Sequence, residues 1–336
     1  MVSIIILLYN SETYLDECLQ SAINQTHQDI EIIVVLNGYS KDNTDHIVEQ
    51  YALQDKRIKV VRNHEDSVIS HGLKLGMDNV SGEYFTILEG DDFLALNAIE
   101  NLLKTMEETN ADFVAGNILK ITETGKEISR GVRPQIKEMC PVEFFRVAIP
   151  YMDFLYHGKL FAKKTYQKDF QLLSAFIGHD VLITYQLALN ADKIANCDEI
   201  VHFFRRSKKS VSKNVTIKHL EGNFECLLLM NQIFEKKRLY EQDEKLRILF
   251  ETHILRLLAS CLVSGKKQFY TQYKNDIKPL LQGEALKNHD MREYLNGWAG
   301  ILLILDMYKL NPCIGNICMC FFDVIRKIRK NMVDNK

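Results

Sequence analysis

No run of about eighteen consecutive apolar residues occurs in this chain, so no transmembrane helix is expected. Neither sign of charge dominates: a net charge of −2 gives no global electrostatic case for nucleic acid. The eight cysteines (Cys18, Cys140, Cys197, Cys226, Cys261, Cys313, Cys318 and Cys320) lack paired zinc spacing. Cys318-Met319-Cys320 is too short a step for a zinc knuckle and has no second pair. They read as free, mostly buried thiols in a reducing cytoplasm. The apolar start, Met1 to Leu8, has no basic flank and runs directly into Tyr9-Asn10-Ser11-Glu12, which argues against a signal peptide and for a buried strand. Repeats and low-complexity tracts are absent. What is present is ordinary globular composition, 46% hydrophobic and 26% charged over 336 residues, enough for one large domain or two modest ones.

The first part of the chain alternates between strand and helix periods. Val2–Leu8 is a continuous β-rich apolar run, as in a strand covered on both faces. Leu15, Cys18, Leu19, Ala22 and Ile23 then recur at helical spacing behind Ser11, a suitable N-cap. Strands are predicted over 30–36, 57–62, 83–88 and 112–118. Helices are predicted through Ile47, Val48, Tyr51 and Ala52, and over 67–80. Such spacing means βαβ units and a mostly parallel sheet, in which ligands bind beyond the carboxyl ends of the strands. Three polar clusters fall there: Tyr9-Asn10, Asn37-Gly38 and Glu89-Gly90-Asp91-Asp92. Residues 193–204 read as strand, turn and strand. Over 216–305, apolar residues such as Ile217, Leu220, Phe224, Leu246, Phe250 and Ile254 recur at helical spacing and predict a helical extension.

Three carboxylates around Gly90 repel one another and need a cation or hydrogen-bond donors. A hard divalent ion such as Mg²⁺ or Mn²⁺, carrying a diphosphate, meets that need, because these ions take a few carboxylate oxygens together with phosphate oxygens. Gly-Asp-Asp is also good turn chemistry by itself. On these residues alone both readings stand.

Taken together and in order, these segments resemble the family-two glycosyltransferases, inverting sugar-nucleotide enzymes of the GT-A fold. Val2-Ser3-Ile4-Ile5-Ile6 with Tyr9-Asn10 resembles their opening strand. Cys18-Leu19-Gln20-Ser21 with Asn24-Gln25-Thr26 resembles the first helix, and Ile30-Glu31-Ile32-Ile33-Val34-Val35 the second strand. Ser81-Gly82-Glu83-Tyr84 and Glu89-Gly90-Asp91-Asp92 resemble the approach to, and body of, their Asp-x-Asp-Asp metal motif. The likeness covers residues 1–215 and implies a GT-A-like, mostly parallel α/β sheet, with 216–336 as the helical extension. It implies Asp91 as a direct metal ligand, Glu89 on the metal or the ribose, Asp92 nearby, and Tyr9, Asn10 and Asn37 along the nucleoside. Asp180, in Ile177-Gly178-His179-Asp180, matches the family's catalytic base, which takes the acceptor hydroxyl's proton. From its position alone Asp180 would also serve as a helix N-cap. Phe203-Phe204-Arg205 and Ser210-Val211-Ser212 resemble the aromatic-Arg segment and the loop after it. There Arg205, with Arg206, Lys208 and Lys209, would close over the diphosphate or form a solvated loop. Lys159-Leu160-Phe161 matches a Lys-Leu-aromatic segment.

Four positions depart from the family pattern. Its second strand ends in Asp-Asp-Gly-Ser, whereas here Leu36-Asn37-Gly38-Tyr39-Ser40 offers an uncharged amide for the base. Leu7 or Leu8 replaces a proline. Leu73 replaces an arginine near the diphosphate, and Lys74 beside it points about 100° away. Glu89 and His179 replace the first members of the two acidic motifs. The implied enzyme is a metal-dependent transferase. It would move a sugar from a nucleotide-diphosphate donor to a hydroxyl of a glycan or lipid-linked acceptor in cell-envelope polysaccharide synthesis. The alternative is a catalytically degenerate binding or scaffold protein on the same fold. A nucleotidyltransferase is disfavoured, because no Gly-rich loop bearing Arg or Lys follows Val2–Leu8.

Over 298–336, two apolar stretches interrupted by Pro312 end in Arg326, Lys327, Arg329, Lys330 and Lys336. Three readings stand: a helix lying on the anionic inner face of a membrane, a terminal helix docked on the core, and a dimer contact. The expected place is thus the cytoplasm, with or without peripheral attachment to that membrane face.

Overall fold

The computed structural model describes residues 1–65, 68–131, 137–151, 155–166, 169–175, 178–206 and 216–282, with five further positions between 307 and 315. The chain divides into two compact units, Met1–Asn214 and Val215–Lys336. The basic pair Lys208 and Lys209, the segment Ser210-Val211-Ser212 and nearly all of 298–336 lie outside the described residues.

The first unit follows the predicted alternation: β1 (Val2–Leu8), α1 (Leu15–Ile23), β2 (Ile30–Asn37), α2 (Thr44–Gln54), β3 (Ile58–Asn63), α3 (Ile69–Asp78) and β4 (Tyr84–Glu89). Then come β5 (Phe93–Leu94), α4 (Ala98–Thr109), β6 (Phe113–Thr122), β7 (Glu127–Gly131), β8 (Glu138–Met139) and α5 (Pro141–Tyr151). The unit closes with β9 (Lys159–Ala162), a short 3₁₀ turn, α6 (His179–Leu189) and β10 (Ile194–Arg206). The sheet order is β3-β2-β1-β4-β9-β6-β10-β5, with β7 beside β6 and β8 beside β10. The β3-β2-β1-β4 half is wholly parallel. In the other half β9 runs antiparallel between β4 and β6, and only β6 and β10 pair in parallel.

All seven residues of β1 are buried, as its unbroken apolar run requires of a strand covered on both faces. Ile4, Ile6, Ile32, Val34, Leu88, Leu15 and Leu19 share one core. Gly72 lets α3 lie close to the end of β2: a Cβ there would sit 2.6 Å from Asn37 Oδ1. Residues 193–204 differ from the expected strand, turn and strand. They form the single strand β10, and the polar step Asp198-Glu199 is absorbed as a register irregularity between Cys197 and Ile200. A bulge admits extra residues into one strand while its neighbours hold the pairing.

In the second unit, α7 (Ile217–Lys236) begins at a capping box in which Thr216 and His219 bond each other's backbone. The short α8 (Leu239–Gln242), the long α9 (Glu244–Gln272) and α10 (Lys274–Gln282) follow. Phe224, Phe234, Phe250 and Phe269 are fully buried, with Phe234 and Phe250 rings 4.8 Å apart between α7 and α9. Among the described residues no helix is long and apolar enough to cross a membrane. Cys18, Cys197 and Cys226 are buried and Cys140 is exposed, and none of these four forms a disulfide.

Candidate active site

The carboxyl ends of β1, β2 and β4 bring the three polar clusters to one edge of the first unit. Glu89 is the last residue of β4, and the chain turns at once, with Asp92 N–H donating to the Glu89 carbonyl at 3.1 Å. Gly90 is what the turn's position demands: a Cβ there would lie 2.5 Å from Leu8 Cδ2 and 2.8 Å from Ser11 Oγ. No side chain fits between the acidic turn and the end of β1.

The three carboxylates do not share one role. Glu89 and Asp91 are half-buried, whereas Asp92 is 2% exposed and turned inward. Asp92 Oδ1 accepts from the Arg205 backbone N–H at 2.7 Å, and its Oδ2 lies 2.9 Å from His202 Nε2 on β10. Glu89 Oε1 accepts from the Tyr156 hydroxyl, which is also 3.3 Å from His179 Nε2. Tyr156 thereby ties the end of β4 to the first residue of α6. Asp180 follows in the first turn of α6, where Oδ1 accepts from Val181 N–H at 2.9 Å. The N-cap itself is Gly178 at φ 93°, so Asp180 is not the cap. Its charge reaches both Glu89 and Tyr156.

Electrostatics mark this cluster as uncompensated. Burial lifts Glu89 to about 8, partly opposed by the Tyr156 hydrogen bond and aided by Asp91, Asp92 and Asp180. Burial, then the charge of Asp92, lifts Asp91 to about 6. Burial lifts Asp92 to about 8 against the Arg205 N–H and charge. Burial pushes His179 below its ordinary value, against the pull of Asp180, so it stands neutral beside the carboxylate. Glu89 and Asp91, at the mouth, fit a hard divalent ion. Asp92 does not share that place, because both of its oxygens are committed beneath the turn.

The remaining expected residues divide. Tyr9 is 40% exposed at the mouth. Asn10, at φ 51°, cross-links the loops after β1 and β2: its Oδ1 accepts from Lys41 N–H at 2.7 Å, and its own N–H donates to Ser40 Oγ at 3.2 Å. Two expectations need correction. Asn37 is 2% exposed, with Oδ1 accepting from Asn63 Nδ2 at 2.9 Å and Nδ2 donating to the Val68 carbonyl at 3.3 Å. Its amide is spent inside the fold and does not line the mouth. Arg205 is 5% exposed, and its guanidinium also faces protein. Nε donates to the Asp91 carbonyl at 3.0 Å and one Nη to the Glu123 carbonyl at 3.1 Å; the other Nη pairs with Glu17. The guanidinium carbon also lies 4.3 Å from the centre of the Tyr14 ring. Arg205 braces the underside of the acidic turn instead of reaching for a phosphate.

Leu73 is buried and Lys74 pairs with Asp78 at 2.6 Å, so neither faces the mouth. Lys159 is fully buried, with its ammonium on the Leu155 carbonyl. Sequence reasoning missed Tyr156, His157 and His202. The signal available was an imidazole beside apolar or aromatic neighbours in Leu155-Tyr156-His157 and in Val201-His202-Phe203.

The Glycosyl transferase family 2 profile matches residues 3–183. Glycosyltransferase GlyG of Streptococcus pneumoniae serotype 4 is 35% identical over 124 residues, which are 37% of this chain and 41% of GlyG. The chain thus aligns with less than half of that relative's length. Residues 1–349 of S. aureus TarS, solved with UDP-GlcNAc, superpose with a TM-score of 0.63 at 18% identity, over 94% of this chain and 89% of that one. The mannosyltransferase PcManGT from Pyrobaculum calidifontis, solved with GDP-Man and Mn²⁺, gives 0.53 at 14% identity, over 96% and 86% of the two chains. The solved structures establish a GT-A-like fold, and the profile match, spanning more than half of the residues, makes the chain a member of glycosyl transferase family 2.

Proposed function

We propose that this protein is an inverting, metal-dependent glycosyltransferase using a nucleotide-diphosphate sugar. The observation that carries the reading is that the Tyr156 hydroxyl links Glu89, at the end of β4, to His179, the residue before Asp180 in the first turn of α6, so that the charges of Asp91 and Asp180 both reach Glu89. TarS and PcManGT were solved with nucleotide sugars, and the second also with Mn²⁺, which supports the same donor class here.

Asp91 and Glu89 would hold Mg²⁺ or Mn²⁺, which neutralises charge on a diphosphate leaving group. Tyr156 holds Glu89 at the mouth. Tyr9 and Asn10 line the nucleoside side. Asp180 accepts the proton of the acceptor hydroxyl as that oxygen attacks the anomeric carbon from the face opposite the diphosphate. Neutral His179, bonded toward Tyr156, orients the start of α6 without competing for that proton. The acceptor is a hydroxyl of a glycan or lipid-linked sugar in envelope polysaccharide synthesis, met in the cytoplasm or at the inner membrane face.

Binding of UDP, GDP, CDP and TDP by calorimetry, with and without Mn²⁺, tests the reading. Metal-dependent binding of one of them, lost in Asp91→Ala, is expected. A folded protein that binds none would instead be a scaffold on the same fold.

A further inference from the structure

Asp92 turns away from the mouth and meets two buried histidines beneath the turn, which have no role in the transfer proposed for this site. His157 lies just before β9 and His202 lies on β10; they are 5% and 0% exposed. His157 Nε2 is 3.7 Å from Asp92 Oδ2, and His202 Nε2 is 2.9 Å from the same oxygen. One ligating atom from each of the three residues falls within 4.8 Å of the others. The two imidazoles meet edge to face, ring centres 5.2 Å apart.

A hydrogen bond accounts for the Asp92–His202 contact but not for the rest. Neither ring nitrogen of His157 has a hydrogen-bond partner among the described residues, nor has His202 Nδ1. A buried imidazole with both nitrogens unpaired is costly, and native interiors avoid it. An ion removes the cost by taking the lone pair of each Nε2 together with Asp92 Oδ2. The spacing suits one: ligand atoms about 2.05 Å from a tetrahedral zinc stand about 3.3 Å apart, and the separations of the two nitrogens from Asp92 Oδ2, 2.9 and 3.7 Å, bracket that value. We propose that Asp92, His157 and His202 form a buried transition-metal site, separate from the carboxylates at the mouth, whose two nitrogens and one oxygen suit Zn²⁺.

The donor set excludes the hard cations, since Mg²⁺ and Ca²⁺ take oxygen and leave imidazole to zinc and its neighbours. The buried Lys159 ammonium acts against an ion here, and the charge of Asp91 at His202 offsets it. Such an ion clips three separate segments, the β4–β5 turn, the approach to β9, and β10, beneath the mouth.

The test measures zinc in the full-length protein, first as purified and then after chelation and reconstitution with Zn²⁺ alone, by mass spectrometry and competition with a colorimetric chelator. One zinc per chain is expected in the wild type, retained in Asp91→Ala. His157→Ala and His202→Ala should bind at least tenfold more weakly. Should either variant fail to fold by circular dichroism, His157→Gln and the wild-type melting temperature with zinc against chelator replace it; zinc should raise that temperature. Absence of zinc from both preparations overturns the proposal. So does zinc that survives both histidine changes, or zinc lost with Asp91 but kept without His157, which would assign the ion to the mouth. None of these readouts depends on whether sugar is transferred.

Discussion

In the parallel half of the sheet, β3-β2-β1-β4, the interior is mainly aliphatic: Ile4, Ile5, Ile6, Ile32, Ile33, Val34 and Ile87 are all fully buried. In the mixed half, the interior holds Asp92, His157, Lys159, His202 and Arg205, each 5% exposed or less. The first kind of interior is stabilised by area removed from water, without direction. The second depends on specific partners, and a buried polar group that loses its partner carries the full cost of desolvation. The site sits where the two meet: β4 belongs to the aliphatic half, and the turn after it is held by residues of the polar half.

The largest expected effect concerns the chemistry at that seam. Asp180→Asn should cut transfer by roughly 10²–10⁴-fold and leave nucleotide affinity nearly unchanged, compared by single-turnover rates and calorimetry. An active variant would remove the assigned base. Next come two stability changes that set the halves against each other. Ile5→Ala should cost about 2–5 kcal/mol through transfer and cavity terms, with little dependence on salt. Arg205→Ala should cost about 3 kcal/mol and should also weaken metal-dependent nucleotide binding, because it frees the turn at Asp91 and Asp92. Denaturant melts at low and high salt, beside nucleotide titrations, would separate them. Arg205→Ala with unchanged binding would mean that the turn holds itself.

Tyr156→Phe should cost about 1–3 kcal/mol and lower nucleotide affinity more than it lowers melting temperature, since Glu89 loses its donor. The smallest effect is a pH trend. Glu89 and Asp92 stand at about 8 when folded and at about 4 when unfolded. Across that interval the folded state holds more protons than the unfolded state, so these two groups make stability fall as pH rises. The buried histidines, with His202 at about 3, act oppositely, but only below an ordinary imidazole value of about 6.5. Between pH 6.5 and 8 the carboxylates act alone. The metal-free melting temperature should drop across that window, and Mn²⁺ should flatten the drop.

The aliphatic half was legible because its signals are local. An unbroken apolar run such as Val2–Leu8 can only be a strand covered on both faces, and the helices between such strands dictate parallel pairing and the edge where ligands bind. The motif residues Glu89, Asp91 and Asp180 were legible for a different reason, their likeness to a family. The polar half was not. Arg205 and Asn37 read as groups free to meet a ligand, and both turned out to be spent on neighbours 26 or more residues away in the chain. Arg205 holds Glu17 and the Asp91 carbonyl, and Asn37 holds Asn63 and Val68. A side chain's partners across the fold leave no period in the sequence.

By itself, then, the sequence determined the strand and helix order of the first unit, the edge at which its polar clusters gather, and the family, because periodicity and motif order are properties of neighbours along the chain. Only the tertiary structure decided how the acidic turn is divided, with Glu89 and Asp91 at the mouth and Asp92 beneath it between two histidines. Only it showed Tyr156 joining β4 to α6. Which polar groups stay free depends on which others come within hydrogen-bond reach, and residues far apart in sequence meet only after the sheet has closed over them.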